Sequence, residues 1–156
     1  MADYSDGFWA SADGLKLHYR DYPGDSGRPP LLCLPGLTRN ARDFEPVAAA
    51  FAGSWRVIVA EMRGRGDSDY AKDPASYNPL QYAQDVQALL AELAVLRVVA
   101  VGTSLGGIIT MLIAMLTPEV LAGGALNDIG PDIEAGGVAR IRGHVGEGGS
   151  SPCWKH

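Results

Sequence analysis

The stretch VVAVGTSLGGIITML, residues 98–112, decides the fold, because it joins two apolar segments through a short cluster of small residues. The β-branched run at 98–101 is typical of a strand buried on both faces, and the apolar residues after Leu105 are typical of a helix. Gly102 and Gly106 flank Ser104, and glycine is favoured where two backbones pass closely. The sequence therefore predicts a tight strand-to-helix turn with Ser104 at its apex.

Outward from this turn, strands alternate with helices. Residues 8–22 predict an antiparallel hairpin around Asp13 and Gly14. Further strands are predicted at 30–36, 55–64, 97–102 and 121–128, and helices at 41–53, 80–96 and 104–117. This alternation predicts the α/β class, with a wound, mostly parallel sheet. We expect a core over residues 1–135, followed by a glycine-rich tail at 136–156.

The composition limits the classes of protein to which the chain can belong. The chain has 156 residues, 47% of them hydrophobic, and a net charge of -5, which favours one globular domain. Because its lysines and arginines are scattered, we do not expect nucleic acid as a partner. It has no apolar run of membrane length and no leader pattern, so we expect a cytoplasmic protein without a membrane contact. Cys33 and Cys153 are predicted free thiols, and no metal site is predicted.

Two interpretations of Ser104 are open at this point. The predicted turn would place its hydroxyl at the carboxyl ends of the strands, where α/β sheets bind ligands, and next to a helix N-terminus that favours negative charge. These are suitable surroundings for a nucleophile. The alternative is that Ser104 only caps the helix, a common role for serine.

Three motifs in register carry a resemblance to a known family. The segments LCLPGLTRNARDFEPVA (32–48), VIVAEMRGRGDSD (57–69) and VAVGTSLGGIITM (99–111) resemble the α/β-hydrolase superfamily, particularly its esterase-like and lyase-like members. The resemblance covers residues 8 to about 135 and implies a truncated α/β-hydrolase core. It implies a nucleophile elbow at Ser104 and an oxyanion hole made by the backbone amides of Leu37 and Leu105. Arg63 and Asp67 are expected to be ion-paired scaffolding.

The other members of a catalytic triad are harder to place. The superfamily order is serine, acid and then histidine, so the search is restricted to residues after 104. Asp128 follows the fourth parallel strand and is the candidate acid, although it is equally suited to a turn. The usual histidine loop is absent, which leaves His144 as the candidate base and His156 as a terminal alternative. His18 precedes the serine and is expected to pack near the sheet.

These observations predict a serine hydrolase acting on small carboxylic esters, with no cofactor. Within enzymes, the same elbow is also consistent with a carbon–carbon bond hydrolase or an acyltransferase. The alternative outside the enzymes is a non-catalytic fragment or a self-associating interaction module that lacks a general base. Because the strand at 121–128 would be an uncovered sheet edge, we also expect a homo-oligomer.

Overall fold

The computed structural model describes residues 1–129, which form a six-stranded mixed sheet with helices on both faces. The strands are β1 (Ser5–Ala10), β2 (Lys16–Tyr22), β3 (Leu31–Leu34), β4 (Val57–Ala60), β5 (Val98–Thr103) and β6 (Leu121–Asn127). The helices are α1 (Glu45–Phe51), α2 (Pro79–Glu92) and α3 (Leu105–Leu116). The predicted α/β class is confirmed. The tail at 136–156, with His144, Cys153 and His156, lies outside the described residues.

The sheet has the order β1-β2-β4-β3-β5-β6. The β1–β2 and β2–β4 pairs are antiparallel, whereas β4, β3, β5 and β6 run parallel. The predicted helix at 41–53 is divided into a 3₁₀ turn (Ala41–Phe44) and α1, with Pro46 in the first turn of α1. Proline is tolerated there because that position needs no amide hydrogen. None of the described helices is both long and apolar enough to cross a membrane.

The core has two layers, because the parallel strands are apolar on both faces. On one face, α2 and α3 pack over strand residues such as Leu32, Leu34 and Ile58. On the other, α1 covers a smaller cluster that includes Cys33. Burial raises the pKa of the Cys33 thiol to about 12, so this free cysteine stays protonated and unreactive at neutral pH.

The strand β6 is the exception to this burial. Within residues 1–129 it pairs only with β5, and residues 122–127 are exposed. The end of α3 also exposes large apolar side chains, Met115 to 76% and Leu116 to 51%. The predicted uncovered edge is therefore present in the described part of the chain.

A buried arginine ties the hairpin to α2. Arg63 is fully buried and donates to the carboxylates of Asp85 and Asp13. The hydrogen bonds from Arg63 lower the pKa of Asp13 to about 2. Arg63 is thus ion-paired scaffolding, as expected. Asp67 is exposed and has no ion pair among residues 1–129, so the expectation was wrong for this residue, whose backbone amide is the group that bonds.

Candidate active site

Ser104 lies on the sharp turn between β5 and α3. Its backbone has φ 51° and ψ -111°, in the left-handed half of conformational space that side-chain-bearing residues rarely adopt. Such strain is concentrated at functional sites, where surrounding structure enforces it. Ser104 directly precedes α3, yet its side chain makes no capping hydrogen bond to the helix. The capping interpretation therefore does not account for this serine.

The glycines around Ser104 are required by close backbone contacts. A Cβ atom on Gly102 would lie 2.3 Å from the carbonyl oxygen of Gly106. A Cβ atom on Gly106 would lie 1.9 Å from the carbonyl oxygen of Leu34, in the neighbouring strand β3. Since no real carbon approaches backbone atoms so closely, only glycine fits at these two positions. The structure therefore contains the tight turn that the sequence predicts.

The loop after β3 lies beside this turn, because β3 and β5 are neighbours in the sheet. We define residues 35–41 as the β3 loop. A Cβ atom on Gly36 would lie 3.8 Å from the Cβ atom of Ser104. The next residue is Leu37, and Leu105 is the first residue of α3, where backbone amides have no partner within the helix. The structure thus brings both predicted oxyanion-hole residues to the neighbourhood of Ser104.

The end of β6 is also tied to the turn. The carbonyl oxygen of Asn127 accepts a hydrogen bond of 3.0 Å from the backbone amide of Ser104. Asp128 follows directly, exposed and with φ 57°. Its carboxylate has no side-chain hydrogen bond within the described range, and neither does the Ser104 hydroxyl. The role of Asp128 as the acid stays a prediction, and the candidate bases His144 and His156 lie outside that range.

Glu61 was not predicted as a functional residue from the sequence, yet it binds the end of the β3 loop. Its carboxylate accepts hydrogen bonds of 2.8 Å from the backbone amides of Ala41 and Asp67. The possible signal in the sequence was a lone carboxylate at the end of an apolar strand. Glu61 therefore couples the β3 loop to the loop after β4.

His18, the only histidine in residues 1–129, completes the surroundings of Glu61. Its Nδ1 atom lies 2.8 Å from Glu61 and its Nε2 atom 2.7 Å from Asp6. Burial favours a neutral ring, but these two carboxylates outweigh it and raise the pKa of His18. Burial alone would raise the pKa of Glu61, yet His18 and the two amides lower it. Both shifts favour the charged forms of the two groups, and His18 packs against the sheet as expected.

His18, Glu61 and Asp67 offer possible metal-ligand atoms within 4.8 Å of one another. Both carboxylate oxygens of Glu61 already accept hydrogen bonds, and both ring nitrogens of His18 face carboxylates. A metal ion would have to displace these bonds and the proton on His18. The arrangement is therefore that of a hydrogen-bonded scaffold.

A surface cavity of about 440 Å³ opens on the outer side of the β3 loop. Its walls come from the β3 loop and from the segment after β4, and they include Leu37, Thr38, Arg39, Arg65, Tyr70 and Tyr77. A second depression of about 530 Å³ adjoins Gly36, Thr103 and Asn127 on the α1 side of the sheet. Space for a small molecule therefore adjoins the predicted oxyanion loop on both sides.

Comparison with known proteins agrees with this geometry. Residues 29–141, most of the chain, match the family model described as the alpha/beta hydrolase fold. The chain belongs to the α/β-hydrolase family. A solved α/β hydrolase from Novosphingobium aromaticivorans shares 60% identity and a TM-score of 0.90, over 94% of this chain and 52% of that one. The predicted family and the α/β-hydrolase core are confirmed.

Two relatives with described activities catalyse different reactions. The 3-hydroxybutyrate-oligomer hydrolase of Cupriavidus necator is 39% identical over 84% of this chain and 45% of its own length. Epoxide hydrolase 4 of Mus musculus is 31% identical over 69% of this chain and 30% of its own length. This α/β-hydrolase chain thus spans less than half of either relative. Family membership by itself does not select the reaction.

Proposed function

We propose that this chain carries the nucleophile and oxyanion hole of a serine hydrolase that acts on small carboxylic esters. The observation that supports this proposal most strongly is the strained turn at Ser104. That turn is held by glycines which cannot be replaced without a backbone clash. A half-buried serine on such a turn, beside the backbone amides of the β3 loop and of the first turn of α3, is the arrangement that acyl transfer requires.

In the proposed mechanism, the Ser104 oxygen attacks the carbonyl carbon of the ester while a general base takes the hydroxyl proton. The amides of Leu37 and Leu105 stabilise the negative charge on the carbonyl oxygen, each by roughly 3 kcal/mol in the transition state. The carbon–oxygen bond of the ester then breaks, and the alcohol leaves with the proton from the base. Water hydrolyses the acyl-enzyme and releases the acid. We assign the base to His144, oriented by Asp128.

The side chain at position 104 favours an ester over an epoxide. Attack of a hydroxyl on an epoxide would form an ether with Ser104, which water does not readily hydrolyse. Attack on a carboxylic ester forms an acyl-enzyme, which water does hydrolyse. The name of the Cupriavidus relative also supports an ester, because oligomers of a hydroxy acid are joined by ester bonds. Carbon–carbon bond hydrolysis and acyl transfer to another acceptor use the same acyl-enzyme and stay as alternatives.

The proposal is tested by covalent labelling of the full chain with a fluorophosphonate, which phosphonylates activated serines with loss of fluoride. We expect one adduct, located by peptide mass spectrometry on the peptide that contains Ser104. Ser76 is the internal control, because it is a serine whose hydroxyl only donates to the carbonyl of Asp73. An unlabelled chain, or equal labelling of Ser76, would contradict the proposal and favour the non-catalytic alternative.

A second candidate function is self-association, supported by the exposure of β6. The carbonyl group of Asn127 points toward β5. Because backbone groups alternate in direction along a strand, those of Ala125 also point toward β5, and those of Gly124 and Leu126 point outward, away from the sheet. This row of outward groups, together with exposed Leu126, Met115 and Leu116, is suited to pairing with a second copy of the chain. We propose that two copies join at this edge.

Light scattering at micromolar concentration tests the association. We expect a dimer or larger oligomer for the native chain. Leu126→Pro removes an outward backbone donor and should shift the chain toward monomer, whereas Leu126→Ala retains the donor and should perturb association less. A well-folded monomer of the native chain would refute this candidate function.

A further inference from the structure

We propose that Arg65 is a positioning residue that sets the geometry of the oxyanion hole. This inference rests on the proposed function of Ser104 and Leu37. It assigns to Arg65 the task of holding the β3 loop at the distance and angle at which the Leu37 amide can receive a developing negative charge. Arg65 acts through the loop and does not itself touch the reacting atoms.

The contacts of Arg65 are the first support. Its Nε atom donates a hydrogen bond of 2.8 Å to the carbonyl oxygen of Leu37. Its Nη1 atom donates to the carbonyl oxygen of Arg63 at 2.8 Å and to the hydroxyl of Tyr82 at 3.0 Å. The guanidinium plane therefore links the β3 loop to two separate elements, the segment after β4 and helix α2. A planar fork with fixed donor directions transmits orientation as well as distance.

Aromatic side chains restrict the guanidinium further. It lies over the ring of Tyr82 at 5.0 Å and over that of Tyr77 at 5.9 Å. Tyr82 belongs to α2 and is buried, so its ring is fixed by the core. Cation–π contacts of this kind stabilise an arginine in one position over the rings. The side chain of Arg65, which binds the carbonyl oxygen of Leu37, is therefore itself fixed in position by the two tyrosine rings.

The charge of Arg65 is not used in an ion pair within residues 1–129, in contrast to Arg63 and Arg56, which pair with carboxylates. All three of its hydrogen bonds go to neutral oxygens. An arginine that served only to pair charges would face a carboxylate. The donation to Leu37 instead orders the backbone next to the peptide that carries the predicted oxyanion donor.

Glu61 fixes the far end of the same loop. Its carboxylate binds the amide of Ala41, while Arg65 binds the carbonyl of Leu37. Both residues come from the chain segment that ends β4 and turns back after it. The β3 loop is therefore fixed at two points, and Arg65 holds the point adjacent to Ser104.

The experiment uses two readouts on the full chain, one of which does not depend on chemistry at Ser104. For Arg65→Met we expect faster amide hydrogen exchange in the peptide covering residues 36–40, with exchange in β4 and α2 unchanged. We also expect labelling of Ser104 by a fluorophosphonate to slow by about 10- to 100-fold, the cost of a misplaced or lost oxyanion donor. Arg65→Lys, which retains the charge but not the fork, should recover only part of the labelling rate.

The matched control is Arg56→Met, which removes a half-buried arginine that pairs with Asp21 at the amino end of β4. It should leave both readouts unchanged. Native exchange and native labelling in Arg65→Met would overturn the inference, as would an equal effect of Arg56→Met. If the native chain is not labelled, the proposed function fails, and hydrogen exchange alone decides whether Arg65 orders the loop. If Arg65→Met does not fold, hydrogen exchange and the labelling rate are compared between Arg65→Lys and the native chain instead.

Discussion

Replacement of Ser104 by alanine is expected to lower turnover of a short activated ester by about three orders of magnitude or more, as loss of a catalytic nucleophile does. The physical reason is that Ser104→Ala removes the only atom that can form the proposed acyl-enzyme. The amides of Leu37 and Leu105 would remain, so a small residual rate above that of water is expected. The measurement is the rate of alcohol release from a p-nitrophenyl ester, compared at equal concentrations of folded protein.

Ser76→Ala is the matched control, since it removes a hydroxyl from an exposed 3₁₀ turn and should leave the rate unchanged. Retained turnover in Ser104→Ala would refute nucleophilic catalysis by this residue. His144→Ala and His156→Ala extend the test to the base. If neither changes the rate, neither of the two candidate bases takes the Ser104 proton.

The second large effect is expected for Gly106→Ala, which should destabilise the fold by about 3 kcal/mol or more. The new methyl group would lie 1.9 Å from the carbonyl oxygen of Leu34 and 2.9 Å from its Cβ atom. Leu34 belongs to a central strand that is buried along its whole length, so it cannot move away. Helix α3 would have to shift from the sheet, which outweighs the gain of about 1 kcal/mol that alanine brings to a helix.

Urea unfolding followed by circular dichroism measures this effect. The matched control is Gly123→Ala in β6, where the added methyl group would meet only Val99 Cγ1, at 3.9 Å. That variant is expected to unfold within about 1 kcal/mol of the native chain. Equal stability of the two variants would contradict the close packing of the turn against β3.

Local patterns predicted the architecture well. The continuous apolar runs around Leu32, Ile58 and Val99 indicated strands buried on both faces, and all three form parallel strands of the central sheet. The glycines at 102 and 106 predicted the turn, because their requirement for space is a property of the turn itself. The differences were at element ends, as with the strand predicted at 55–64, which is confined to Val57–Ala60, and in the helix predicted at 41–53, which is divided into a 3₁₀ turn and α1.

The side-chain contacts that hold the site in place could not be predicted in the same way, because they join residues far apart in the chain. Arg63 pairs with Asp13, 50 residues away, and with Asp85, 22 residues away. Arg65 reaches Leu37 across 28 residues. A single sequence gives no signal for such pairings, since nothing local distinguishes Arg65 from a surface arginine.

The position of β3 between β4 and β5 has a consequence for synthesis of the protein. β3 and β4 can pair once residue 60 has emerged, but the other edge of β3 receives its partner only when residues 98–103 have been made. At bacterial or eukaryotic elongation rates, this leaves one edge of a strand of four apolar residues unpaired for roughly 2 to 8 seconds. During that interval the turn that carries Ser104 has no completed sheet to pack against, because that turn directly follows β5, the missing partner of β3.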